Sequence, residues 1–200
     1  MGQESGRKTG NKPQGEQKNK FWDFIPATAA KPPELLLYGA ISSNQSWWED
    51  RVTPGQFNKE LAALGEDVPE IIVRINSPGG DVFAANAIYT RLKDHPANIT
   101  VKIDGWAASA ATIIAMAGDT VKIAKNGVFM IHDPAMTVWD TFKAEDFTKL
   151  AEELKVIKQS IVNTYAMKTG RTEQEISDFM SEESWWTGDA AVENGFCDEL

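Results

Sequence analysis

Short runs of apolar, mostly β-branched residues alternate along this chain with longer stretches of helical period, and that alternation most limits the folds open to it. It is the pattern of an α/β domain. The runs predict strands over 34–41, 71–76, 99–104, 120–124 and 128–132. Between them, Thr53-Pro54 opens a helix reaching about Leu64, since proline suits a first helical turn. A second helix covers 81–93, with Ala85, Ile88 and Leu92 on one face, and stops before Pro96. A third covers 109–118; residues 107–117 are small and apolar all round, so it is expected to be buried. The longest covers 143–168, where Phe147, Leu150, Leu154, Ile157, Ile161 and Tyr165 recur by threes and fours. Thr172 starts a short helix with Glu175 as its capping-box partner, and 188–194 forms another, ended by Gly195.

At 200 residues, with 42% hydrophobic and 24% charged side chains, one core of full size is the expectation. Residues 1–20 hold no large apolar residue beyond Met1 and are read as a disordered polar tail. Residues 21–33 are read as a docking segment and Pro-punctuated linker, with the domain proper over 34–200. No run is long and apolar enough for a membrane helix, no signal peptide stands at the start, and Gly6 breaks the myristoylation pattern that Met1-Gly2 opens. The single cysteine, Cys197, excludes an internal disulfide and a thiolate metal site, which suits a cytoplasmic setting. The tail carries a net +3 and the other residues −12, so the domain is a poor nucleic-acid binder.

Only two histidines are present. His95, between Asp94 and Pro96 at a helix end, reads as a solvated residue. His132 ends the apolar run 128–131 and precedes Asp133-Pro134; a strand end in an α/β sheet is where ligands bind, although a satisfied core histidine fits the same spacing. Ser109 stands at the start of the buried helix, where a serine serves as an N-cap or as a nucleophile whose oxyanion meets first-turn N–H groups. Ser77-Pro78-Gly79-Gly80 is a tight turn or a further oxyanion donor; it lacks the Lys-Ser/Thr of a P-loop. Two distant histidines and scattered acids give no metal-ligand spacing, and no cofactor is implied.

Taken in order, Asn76-Ser77-Pro78-Gly79-Gly80, Ala87-Ile88-Tyr89, Gly105-Trp106-Ala107-Ala108-Ser109-Ala110, Val128-Phe129-Met130-Ile131-His132-Asp133-Pro134 and Ala190-Ala191-Val192-Glu193-Asn194-Gly195-Phe196-Cys197-Asp198 resemble the Clp protease proteolytic subunit family. The resemblance runs from about Leu35 to the C-terminus. It implies a crotonase-like α/β fold of repeated strand–strand–helix units with a protruding long helix. It also implies a serine endopeptidase working through an acyl-enzyme, with Ser109 as nucleophile and His132 as its base. The N–H groups of Gly79 and Ala110 would hold the oxyanion. Where the family has an aspartate as third member, counting back from Gly195 reaches Glu183, ranked ahead of Glu182, Asp178 and a water-completed dyad. An extended peptide would bind beside Gly80, Asp81 and Val82 and beside Asp133 and Pro134.

The resemblance further implies a homo-oligomeric ring, as heptamers or stacked rings joined through the long helix. The N-terminal region and Trp47-Trp48, Trp139 and Trp185-Trp186 depart from the housekeeping subunit and resemble phage and prophage head-maturation variants. Scaffold or capsid protein in a host cytoplasm is then the expected substrate, and partnership with an unfoldase ATPase is disfavoured. Two other functions fit the sequence. A crotonase-like acyl-CoA enzyme shares the fold without an activated serine, and the glutamate in place of aspartate suits a catalytically silent ring or scaffold protein.

Overall fold

The computed structural model describes residues 21–42, 54–65 and 67–200. The tail over 1–20, Trp47-Trp48 and Thr53 lie outside the described residues. The elements run β1 (Trp22–Ile25), β2 (Glu34–Tyr38), α1 (Pro54–Ala62), β3 (Glu70–Ser77), α2 (Val82–Lys93), β4 (Asn98–Ala108), α3 (Ala110–Ala115), β5 (Thr120–Ile123), β6 (Val128–Ile131), α4 (Ala144–Thr169), α5 (Glu173–Ser181), β7 (Ser184–Thr187) and α6 (Gly188–Glu193). This is the expected α/β architecture with a long helix. One seven-stranded sheet has the order β1-β2-β3-β4-β6-β7, with β5 also on β4. Pairing is parallel from β2 through β6 and antiparallel at both edges, β1 on β2 and β7 on β6.

β4 decides where the site lies. Its first half pairs with β5 through Thr100–Ile103, and its last residues pair with β6 through Trp106–Ala108. Between the halves the register against β3 slips, from Ile75↔Ile103 to Ser77↔Ala107. Such a bulge bends a strand and re-aims the side chains beyond it. Ala107 thus sits between Ser77 of β3 and Phe129 of β6, and three parallel strands end side by side. Immediately past those strand ends come the Pro78-Gly79-Gly80 turn, Ser109 and His132.

The core forms because β3 buries alternate residues, Ile71, Val73 and Ile75, and because all six residues of α3 are buried. Each buried Val or Ile among them contributes roughly 1.5–3 kcal/mol on leaving water. α2 is capped by Asp81, the residue at which the expected helix starts: its Oδ1 accepts from Phe83 N at 2.8 Å and Ala84 N at 3.0 Å. α5 begins with the expected box, Thr172 N donating to Glu175 Oε2 at 3.0 Å and Glu175 N to Thr172 Oγ1 at 3.2 Å.

The stripe on α4 divides in two. Ile161, Val162, Thr164 and Tyr165 are buried, whereas Phe147 is 57% exposed and Val156 72% exposed, so the N-terminal half projects from the domain. Lys158, near the junction, holds the helix to the domain through Asp133 at 2.8 Å and Ser181 Oγ at 2.8 Å.

Both edge strands add to the expected elements. β1 covers the sheet edge, with Trp22 buried edge-on against Phe57 at 5.6 Å and its indole Nε1 donating to Glu60 Oε2 at 3.0 Å. β7 presents Trp186 to Phe129 and Phe196, stacked at 6.3 and 4.9 Å between ring centroids.

Candidate active site

The bulge and the parallel strand ends bring Ser109 and His132 together: His132 Nε2 lies 2.7 Å from Ser109 Oγ. Both side chains are half-buried. Ser109 is held there by its own N–H, which donates to Met130 O at 2.9 Å and continues the β4–β6 pairing one residue beyond the strand. Its backbone, at φ 54° and ψ −127°, lies where L residues are rarely found. Such strain persists only where the surroundings enforce it. The expected N-cap role is absent: no side-chain cap hydrogen bond forms, and Oγ turns to the histidine instead. With Nε2 as acceptor, the imidazole proton sits on Nδ1. Among the described residues Nδ1 makes no hydrogen bond.

The serine turn is lined by backbone. Ala110 opens α3, so its N–H has no partner within the helix. Gly79 presses against it: a Cβ there would stand 2.5 Å from Ala108 O and 2.8 Å from Ala110 N, so only glycine fits. The Gly79 N–H, however, is not the donor that the sequence led us to expect. It points inward to Ser77 Oγ at 3.1 Å, and Ser77 Oγ in turn donates to Gly39 O at 2.6 Å. The neighbouring N–H of Gly80, a residue on the exposed side of the turn, makes no hydrogen bond among the described residues. Of the two glycines, Gly80 is thus the one whose N–H is left to bond elsewhere among the described residues.

The peptide-binding candidates separate in the same way. Gly79 O accepts from Ile41 N at 2.8 Å and Asp81 N donates to Ile41 O at 3.0 Å, so one edge of this segment is already paired. The carboxylate of Asp81 caps α2, and Val82 is the first residue of that helix. Asp133, expected beside substrate, instead directs its carboxylate to Lys158 and Ser181. Side chains alternate along an extended chain, so the neighbour of a site-facing His132 faces away. Pro134 lies in the irregular segment that starts at His132 and leads to the exposed Trp139.

The acidic candidates are not bonded to His132. The β6–β7 register ends at Ile131↔Ser184, so His132 follows and Glu183 precedes the last paired residues. Yet Glu183 Oε1 accepts from Trp185 Nε1 at 3.2 Å, and its backbone has φ 52°. Glu182 is the exposed C-cap of α5, and Asp178 accepts from Gln174 on its own helix at 2.8 Å. His95 accepts from Ala97 N at 3.1 Å, far from this constellation in the chain. Among the described residues no group of three His, Cys, Asp or Glu could hold a metal ion, and no helix is long and apolar enough to cross a membrane.

A family model described as Clp protease matches residues 49–200. The chain is 33% identical over 170 residues to ATP-dependent Clp protease proteolytic subunit 1 of Corynebacterium jeikeium, covering 84% of this chain and 89% of that protein. It is 25% identical over 195 residues to the subunit of the same name in Chlamydia abortus, covering 93% and 95%. Among solved structures, a ClpP1 mutant from Listeria monocytogenes is similar with a TM-score of 0.70 and 25% identity, over 83% of this chain and 89% of that one.

Proposed function

Because the chain belongs to the Clp protease family, we propose that it is a serine endopeptidase whose nucleophile is Ser109 and whose general base is His132. The observation that carries this reading is the 2.7 Å approach of His132 Nε2 to Ser109 Oγ at a strained strand-to-helix turn. A hydroxyl so placed loses its proton to imidazole as it attacks a peptide carbonyl. The same nitrogen then returns the proton to the leaving amine. Negative charge develops on the carbonyl oxygen, and the N–H groups of Gly80 and Ala110 are the donors that flank the serine. Water completes the second half of the cycle by the same route, releasing the acyl group from Ser109. Glu183 is the acid proposed to steady the imidazolium, reached by side-chain rotation away from Trp185. An extended peptide adds to the free edge of the Gly80 segment and runs along the residues after His132.

The protein is proposed to work in the cytoplasm as a homo-oligomeric ring, with the projecting half of α4 between subunits or between rings. Its exposed apolar residues support that use. A role in phage head maturation, cutting scaffold or capsid protein in a host cytoplasm without an unfoldase, is supported by the sequence departures at Trp139 and Trp185-Trp186. The Corynebacterium and Chlamydia relatives are called ATP-dependent, so assay with and without an unfoldase ATPase decides that point.

Intact-mass labelling by a fluorophosphonate tests the chemistry. One adduct per wild-type chain, absent in Ser109→Ala and His132→Ala, is the expected result. An unlabelled, folded, ring-sized wild type would turn the reading toward a silent scaffold. Thioester turnover that survives Ser109→Ala would turn it toward an acyl-CoA enzyme.

A further inference from the structure

Two hydroxyl groups lie within the otherwise apolar seam between α3 and α4. Thr112 is wholly buried and Tyr165 is 2% exposed. Thr112 Oγ1 is 2.6 Å from Tyr165 OH and 2.5 Å from Ser109 O, and that carbonyl also accepts from Thr112 N at 2.9 Å. A carbonyl can only accept, so the Thr112 hydroxyl proton points at Ser109 and Tyr165 must donate to Thr112. Burial holds the Tyr165 hydroxyl protonated far above its ordinary range, so this direction persists at any working pH. Its ring is fixed edge-on against Phe196 at 5.6 Å.

The carbonyl that ends this chain of bonds belongs to the peptide group whose other end is Ala110 N–H. Peptide resonance moves electron density from nitrogen to oxygen, and donors on the oxygen strengthen that shift and make the N–H a better donor. We propose that Tyr165 and Thr112 are positioning residues: a buried relay, Tyr165 to Thr112 to Ser109 carbonyl, that orients and polarises the Ala110 N–H toward the oxyanion. Buried hydroxyls are costly where apolar residues would pack. Here both are spent on the one peptide group that precedes the first turn of α3. The inference rests on the peptidase reading, in which Ala110 faces the oxyanion.

The test compares wild type with Tyr165→Phe, Thr112→Val, Thr112→Ser and the double variant Thr112→Val/Tyr165→Phe in their native assembly. It reads kcat and KM on a fluorogenic peptide, affinity for a peptide aldehyde that forms a tetrahedral adduct, fluorophosphonate labelling, and the thermal midpoint. Tyr165→Phe and Thr112→Val are expected to lower kcat about three- to tenfold, with aldehyde affinity falling in parallel and KM little changed. Thr112→Ser keeps the hydroxyl and is expected to retain wild-type kcat. The double variant removes both polar groups, so it is expected to recover the midpoint lost by Thr112→Val while remaining slow. Wild-type kcat in Tyr165→Phe, or a kcat that recovers together with the midpoint in the double variant, overturns the relay and leaves the peptidase intact. A wild type that neither cleaves nor labels overturns both, and is recognised before any variant is compared.

Discussion

Trp185 donates its indole N–H to the Glu183 carboxylate at 3.2 Å, so the first-ranked acid, one residue before the Ile131↔Ser184 pair, is bonded within its own segment and not to His132. Glu183→Gln is expected to lower kcat by roughly one to two orders of magnitude and to leave measurable turnover, because the Ser109–His132 pair and the backbone donors stay in place. Trp185→Phe releases the carboxylate and is expected to keep kcat at or above the wild-type value. Full activity in Glu183→Gln would move the role to Glu182, to Asp178 or to water; both variants are read on a fluorogenic peptide.

The two glycines of the turn are expected to fail for different reasons. In Gly79→Ala the new Cβ meets the backbone of Ala108 and Ala110, and its φ of +91° adds strain of roughly 1–3 kcal/mol. Serine labelling should be lost along with stability. In Gly80→Ala the Cβ runs into Ile41 O, so the bridge to residue 41 opens first. Thermal midpoints and fluorophosphonate rates measured together separate the two. Equal labelling by Gly79→Ala and wild type would show that the serine turn tolerates the displacement.

Asp133 is expected to act on stability and not on substrate affinity. Its ion pair with Lys158 is partly exposed, which limits its worth to about 1 kcal/mol or less. Asp133→Asn should therefore lower the thermal midpoint by a few degrees, on the order expected for a domain of this size, and leave KM unchanged. A raised KM with an unchanged midpoint would return Asp133 to the peptide-binding surface.

Cys197 is 2% exposed, and burial pushes its thiol up to about 12. Raising an acid's pKa lowers its thiolate fraction at any given pH below it. At pH 8 a thiol reagent is therefore expected to react slowly with the native protein and quickly after denaturation, the thiolate being the reactive form. Rapid native labelling would mean that the α6 end of the domain opens readily.

The interior was far more legible in sequence than the edges. β3, β4, β5 and β6 declare themselves by β-branched runs, and α4 by its threes and fours. The strands Trp22–Ile25 and Ser184–Thr187 are as short as β5 and β6 but hold one β-branched residue each, so nothing in their composition sets them apart from loops. Ser109 and His132 were legible from motifs, and the structure sets them within hydrogen-bonding distance. Which glycine of the pair offers its N–H was not, because that depends on where the buried Ser77 hydroxyl points. The carboxylate of Asp133 bonds Lys158 and Ser181, partners 25 and 48 residues away that its adjacency to His132 does not signal. The Thr112–Tyr165 pair spans 53 residues, and no local spacing signals it.

The left-handed backbone of Ser109 makes the serine itself a cost to the fold. Any side chain there resists the conformation, and glycine would relieve it. A chain of this fold with no use for the hydroxyl would therefore gain stability by carrying glycine there.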